Sequence, residues 1–163
     1  MRMIANHGQE KKYYHKVLGC NSRLDTIQAA ILNIKLRYLE EYSAARNKMA
    51  AYYDAAFSTI IELDIPKRQH NSTHVFHQYT LKVKNGKRNE LQKYLSEKGI
   101  PSMIYYPLPL HKQEAFQQFV SSDFVLPTSE ELCDQVLSLP IHTELNSDHM
   151  IFICDSVKSF FNK

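Results

Sequence analysis

The sequence predicts an α+β domain, a sheet of about three to four short strands with helices packed on it. Three features carry that prediction. The stretch from Gly19 to Phe57 places apolar residues at helical intervals, at Leu24, Ile27, Ile31, Ile34, Leu39, Tyr42, Met49, Tyr53 and Phe57, and no Pro or further Gly interrupts it. His74 to Val83 alternates with period two: Val75, His77, Tyr79, Leu81 and Val83 fall on one face, Phe76, Gln78, Thr80 and Lys82 on the other. Shorter apolar runs follow, separated by Pro, Gly and Asn turns and by helical patterns.

Taken in order, Met1 to Leu18 shows no period and is polar and basic, an entry arm ahead of the helix or simply a frayed terminus. Gly19 and Cys20 form a turn. Asn21 and Ser22 then cap the helix, with Ser22 and Asp25 in the spacing of a capping box. The pattern allows a bend between Tyr42 and Ala45. Ile60 to Ile65 is a short strand stopped by Pro66, and Asn85-Gly86 is a turn after the alternating strand. Asn89 to Lys98 is a helix with Leu91, Tyr94 and Leu95 inward, capped by Gly99 before Pro101. Ser102 to Tyr106 is a second strand, ended by Pro107 and Pro109, and His111 to Phe119 is a short helix. Thr128 to Glu131 is a capping box for a helix through Val136, and Leu137 to Ile141 is extended. Asn146 to Asp148 caps a last helix that buries Ile151, Ile153 or Cys154, Val157 and Phe160.

Composition narrows the function. At 163 residues the chain is one domain, or one with an arm. A net charge of +3 with dispersed Lys and Arg argues against a nucleic-acid surface. No apolar run approaches the roughly 18 residues of a membrane span, and Met1 to Lys16 has no apolar core of a signal peptide. Cys20, Cys133 and Cys154 are odd in number and far apart, which fits reduced thiols in the cytoplasm. Only 4 glycines are present, and neither G-x-G-x-x-G nor G-x-x-x-x-G-K occurs, so any phosphate recognition must come from a helix start or from sequence outside this chain.

Two stretches could carry chemistry. The start of the long helix offers free amides to an anion, and Asn21 and Arg23 add donors there; an ordinary capped core helix is the simpler reading of the pattern. Tyr105-Tyr106-Pro107-Leu108-Pro109-Leu110-His111 sets two aromatics at a strand end between prolines, with an imidazole behind them, either a pocket or a packing corner. His70, His74 and His77 lie close in sequence. His74 and His77 fall on opposite strand faces, which favours structural roles over metal ligation. No G-x-S-x-G supports a serine nucleophile.

Together NHGQ (6–9), KYYH (12–15), GCNSRLDTIQAAIL (19–32), FHQY (76–79), GIPSMIYYPLPLHKQEAF (99–116) and LPTSEELCDQVLSLPIH (126–142) resemble the C-terminal part of the DegT/DnrJ/StrS family of pyridoxal-phosphate-dependent sugar aminotransferases, its WbpE-like members in particular. The resemblance implies the small C-terminal domain of the aspartate-aminotransferase-like fold (type I PLP transferase). Such a domain has a long N-terminal helix and a small, mainly antiparallel sheet with helices. Residues 1–20 would be an entry arm from a large cofactor domain and residues 21–163 the small domain.

The same resemblance implies roles by position. Asn21 matches the asparagine that reaches the cofactor phosphate across a homodimer, and Arg23 a neighbour suited to a substrate carboxylate or phosphate. His7 matches a position near the substrate. Tyr105 and Tyr106 match the pair lining the sugar pocket, although the uronate-using members often carry histidine at the first, and His111 matches a position after the P-L-P turn. The Schiff-base lysine matches nothing in this chain, so no catalytic residue is assigned and the chain alone is not expected to transaminate or hold the cofactor. The implied reaction moves an amino group, from glutamate, to a nucleotide-linked keto-hexose such as UDP-2-acetamido-3-keto-hexuronate, for surface polysaccharide or lipopolysaccharide synthesis. No metal, nucleic acid or membrane is implied. The competing expectations are a stand-alone helical dimerisation module and a sugar-nucleotide-binding module.

Overall fold

A computed structural model describes residues 1–121 and 123–162. The chain forms two compact units, Met1–Glu40 and Glu41–Lys163. Its α+β architecture, long helix and small antiparallel sheets agree with the fold class read from the sequence.

In the first unit, helix α1 (Arg2–Ala5) passes through His7 and Gly8, at φ 58° and 73°, into an antiparallel hairpin of β1 (Gln9–Lys11) and β2 (Tyr14–His15). The returning chain lies back along its own start. The Cys20 and Ser22 amides donate to the Ile4 and Ala5 carbonyls at 2.9 Å, and the His7 amide donates to the Cys20 carbonyl at 3.0 Å. Two glycines permit this approach. A Cβ on Gly8 would lie 1.7 Å from the Val17 carbonyl oxygen, and one on Gly19 2.2 Å from the Gly8 nitrogen. The arm is ordered by backbone hydrogen bonds, which leave no side-chain period to read.

Helix α2 (Thr26–Lys35) follows, then a 3₁₀ turn (Leu36–Tyr38), then α3 (Leu39–Phe57). The cap differs from the expected Ser22–Asp25 box. Asp25 is itself the N-cap, accepting from the Ile27 and Gln28 amides at 2.8 and 3.2 Å. Ser22 lies four positions before Thr26, outside the helix, and its amide, which the box would give to the Asp25 carboxylate, is held by the Ala5 carbonyl. The irregularity expected at Tyr42 to Ala45 falls at the 3₁₀ turn Leu36–Tyr38 instead; Glu40, Glu41, Ala44 and Ala45 are strong helix formers and carry α3 through unbroken. The N-terminal apolar residues do not reach a core: Ile27 is 73% and Ile34 58% exposed. Among the described residues of 1–40, Gly8 alone is buried.

The core lies in the second unit. There α3 buries Met49, Ala50, Tyr53 and Phe57 against a three-stranded antiparallel sheet ordered β3 (Leu63–Asp64), β4 (Tyr79–Val83), β5 (Val136–Leu139). The register sets Leu63 against Val83 and Tyr79 against Leu139. Tyr79, Leu81 and Val83 are buried as their alternation requires, each such side chain contributing about 1.5–3 kcal/mol. The expected strand from His74 loses its first half. Phe76 takes φ 46°, its amide donates to His74 Nδ1 at 2.9 Å, and Asn47 Nδ2 donates to the His74 carbonyl at 2.8 Å. This clamped turn sends Phe76 into the core and leaves Val75 and His77 in solvent, the reverse of a strand's alternation.

Below the sheet, the Tyr79 hydroxyl donates to Asp54 Oδ1 at 2.8 Å while Arg68 pairs with Asp54 Oδ2, and the Tyr53 hydroxyl donates to the Pro140 carbonyl at 2.8 Å. Burial first, then the Asp54 carboxylate, pushes the Tyr79 phenol far up. Helix α4 (Arg88–Glu97) buries Leu91 and Leu95. It ends in a Schellman motif, with Gly99 at φ 74° and the Gly99 and Ile100 amides donating at 2.9 Å to Ser96 and Leu95. The last helix, α6 (Ser147–Phe161), is capped by Asn146, whose side chain accepts from the His149 amide at 2.9 Å. Both Ile153 and Cys154 are buried with Val157; Phe160 is half-buried and Ile151 points out. Burial pushes the Cys154 thiol up to about 12.

Three further elements differ from expectation. The Ile60–Ile65 strand shrinks to Leu63–Asp64. Of Ser102–Tyr106, Met103 alone bridges to the sheet, exchanging hydrogen bonds of 2.7 and 3.0 Å with Ser138. His111–Phe119 is two 3₁₀ segments, Leu110–Lys112 and Glu114–Phe119, because Gln113 is extended between them. Helix α5 (Pro127–Gln135) starts one position before Thr128, with Pro127 at N1, and the Glu130 carboxylate rather than a Thr128 hydroxyl takes a free amide, that of Leu126, at 3.3 Å.

Two glycines at similar φ should respond differently to alanine. Around Gly99 nothing lies within 4 Å of a new Cβ, so Gly99→Ala should cost only the left-handed backbone term, about 1 kcal/mol in denaturant unfolding. Gly8→Ala must displace the Val17 carbonyl. Amides of residues 4–22 should then exchange freely by mass spectrometry, while the stability of the second unit stays unchanged.

Candidate functional site

The candidate residues fall on two surfaces, one in each unit. In the first, the closed loop sets Asn6 against Asn21 in an antiparallel bridge, with His7 next to one and Arg23 just beyond the other. The His7 carbonyl accepts from His15 Nδ1 at 2.7 Å, so His15 carries its proton on Nδ1. Asn21, Arg23 and His7 are all exposed. Neither the Asn21 amide nor the Arg23 guanidinium has a side-chain partner among the described residues.

The helix mouth itself is not open to an anion. Asp25 occupies the Ile27 and Gln28 amides with a carboxylate. The donors this surface leaves exposed are the Asn21 and Arg23 side chains, whose chemistry suits phosphate or carboxylate.

In the second unit, Tyr105 and Tyr106 follow the Met103 bridge and edge a cavity of about 710 Å³. Their peptide bond is cis. Their rings sit 5.8 Å apart, nearly perpendicular, and both are exposed, Tyr106 at 71%. Since the segment has left the sheet, the alternation that would hide one of the pair does not apply. The cavity is also lined by Leu126, the N-cap of α5, and by Ser129 and Leu132 of that helix.

His111 borders the same cavity, but its side chain is only 5% exposed and its Nε2 lies 2.9 Å from Glu130 Oε1. Its ring stands edge-on to Phe124 at 5.8 Å. Lys112 Nζ pairs with Glu130 Oε2. Lys112 foremost, then His111, holds the Glu130 carboxyl down to about 2. Glu130 is the residue that sequence reasoning missed. Pro127 was its signal: a proline fixed at N1 leaves Leu126 as cap and puts Glu130 within reach of it.

Elsewhere, among the described residues, no three His, Cys, Asp or Glu side chains cluster to hold a metal ion, and no helix is long and apolar enough to cross a membrane.

The fold matches that of a solved DegT/DnrJ/EryC1/StrS aminotransferase from Brucella abortus, with a TM-score of 0.88 at 36% identity over 99% of this chain and 43% of that one. S. venezuelae DesV, solved in complex with a ketimine intermediate, superposes with a TM-score of 0.92 at 32% identity over 99% of this chain and 43% of that one. The chain belongs to the DegT/DnrJ/EryC1/StrS aminotransferase family, whose sequence model matches residues 1–158. Relatives include a pleiotropic regulatory protein of Geobacillus stearothermophilus, 41% identical over 98% of this chain and 43% of its own length. Another is the UDP-2-acetamido-2-deoxy-3-oxo-D-glucuronate aminotransferase of Pseudomonas aeruginosa, 40% identical over 94% of this chain and 41% of its own. The chain thus spans less than half the length of the relatives it matches.

The Glu130 contacts make a pH prediction. Its folded value lies below the usual 4.5, so the stability it contributes is complete above that value and is lost as pH falls from 4.5 toward 2. Thermal melts should show wild type above Glu130→Gln by a constant margin at neutral pH, with the margin closing through that acidic window. A margin that persisted to pH 2 would show that the charge plays no part.

Proposed function

We propose that this chain is the C-terminal part of a pyridoxal-phosphate-dependent aminotransferase that moves an amino group, from glutamate, to a keto group on a nucleotide-linked hexose. The observation that carries this reading is the match to the aminotransferase family over residues 1–158. The relative named as a UDP-2-acetamido-2-deoxy-3-oxo-D-glucuronate aminotransferase supports a 3-keto UDP-N-acetylhexuronate as substrate, and we place the reaction in the cytoplasm, in surface polysaccharide synthesis.

In this reading the cofactor supplies the electron sink for amino transfer. The chain's own residues bind and orient. Asn21 donates its side-chain N–H to the cofactor phosphate of a second subunit, which the exposed, unpartnered amide supports. Arg23 presents a planar pair of donors to a substrate phosphate or carboxylate. His7 borders the substrate from the neighbouring segment. Tyr105 and Tyr106 flank the sugar, and His111 stands behind them in the cavity wall. The exposed apolar side of α2 supports burial against the rest of the full-length protein and its homodimer. The Schiff-base lysine lies outside this chain, which by itself does not transaminate.

The same apolar side of α2 also favours a stand-alone dimerisation module. That reading requires this chain alone to sediment as a dimer and its gene to encode no cofactor domain.

The test uses the full-length protein. Asn21→Ala should weaken cofactor retention about 10- to 100-fold, the loss of one hydrogen bond to a charged group, read from cofactor absorbance after dialysis. Unchanged retention would remove Asn21 from the cofactor site. Failure of the wild type to aminate any keto sugar nucleotide would overturn the function itself.

A further inference from the structure

The cavity beside Tyr105 and Tyr106 is built from two stretches of chain that share little backbone bonding. One wall, residues 105–113, leaves the sheet at Met103 and thereafter bonds locally: the Lys112 amide to Pro109, the Gln113 amide to Leu110, Gln113 Nε2 to the Leu108 carbonyl. The other wall is α5. Among the described residues, every hydrogen bond that crosses from one wall to the other ends on the Glu130 carboxylate.

The carboxylate is itself aimed. Oε1 accepts from the Leu126 amide at 3.3 Å at the start of α5 and lies 2.9 Å from His111 Nε2, while Oε2 takes Lys112 Nζ. A carboxylate only accepts here, so His111 carries its proton on Nε2. With that ring 5% exposed and edge-on to Phe124, removing Glu130 would leave a buried imidazole N–H without its acceptor, and the turn from Leu110 to Lys112 would no longer be tied to α5. The tie is positioned to fix the distance between Tyr106 on one wall and Leu126 and Ser129 on the other, all of which line the cavity.

We propose that Glu130 is a positioning residue: acting through His111 and Lys112, it sets the width of the cavity and thereby its affinity for the sugar of a nucleotide-linked substrate. This rests on the reading of the cavity as the sugar pocket. Glu130 touches neither substrate nor reacting atoms. It should influence binding of the sugar and leave the amino-donor half of the reaction alone.

The test uses the full-length enzyme and measures its two half-reactions separately. Glu130→Ala should raise KM for the nucleotide sugar about tenfold, with kcat and the glutamate half-reaction within about twofold of wild type. Glu130→Gln keeps an acceptor for His111 and should recover most of the loss; if Glu130→Ala does not fold, Lys112→Ala, which removes the exposed second partner of the carboxylate, should raise the sugar KM in the same direction. Equal losses in both half-reactions would mean general destabilisation and overturn the proposal, as would an unchanged sugar KM. Hydrogen exchange on the same proteins separates this outcome from failure of the functional reading. Residues 105–113 should exchange faster in Glu130→Ala while α4 and α6 do not change. If the wild type uses no nucleotide sugar, the functional reading falls, and unchanged exchange in 105–113 would still refute the positioning role.

Discussion

The second unit depends on the pairing of β4 with β5. All four residues of β5 are buried, so its amides and carbonyls have no water to bond and must be paired within the protein. Leu137 and Leu139 pair into β4. Ser138 turns its backbone groups the other way, to Met103, and its hydroxyl meets that of Thr80 at 2.8 Å across the close, non-hydrogen-bonded position of the ladder. The cavity follows from this. Its Tyr105 wall begins just beyond Met103, and its α5 wall ends at Gln135, where β5 begins. One wall therefore springs from the flank of this buried strand that faces away from β4, and the other from its start. Their near ends are fixed by the sheet, and only their far ends need a separate tie, which Glu130 provides.

Much of the second unit was legible in the sequence because its signals are local. The Leu91–Leu95 spacing, Gly99 before Pro101, Asn146 before an amphipathic run and the Tyr79–Val83 alternation each arise from the element that they mark. What was not legible depends on partners distant in sequence. Val75 and His77 continue the alternation on paper. Asn47, on another element, clamps the His74 carbonyl and the chain turns at Phe76 instead. Ser22 has the right spacing for a cap, but Ala5 holds its amide. Thr128 begins a plausible box, but Pro127 moves the helix start and hands the role to Glu130. Tyr105 and Tyr106 read as the end of a strand, and that strand amounts to a single bridge because only Met103 reaches Ser138.

The first unit poses a different physical problem. Some forty residues can rarely bury enough apolar surface to hold a fold alone, and here Gly8 is the sole buried residue among those described. Its loop is kept closed by backbone hydrogen bonds and by two glycines whose missing Cβ atoms allow the strands to touch. Helix α2 meanwhile exposes Ile27, Ile31, Leu32 and Ile34 to solvent. Hydrogen bonds of that kind contribute about 1 kcal/mol each in water, less than the conformational entropy of ordering the residues that make them. The apolar side of α2 is then the remaining source of stabilisation, and it acts only when something covers it. The loop that carries Asn21 and Arg23 directly precedes that helix, so a surface covering α2 would add the stabilisation that these hydrogen bonds lack.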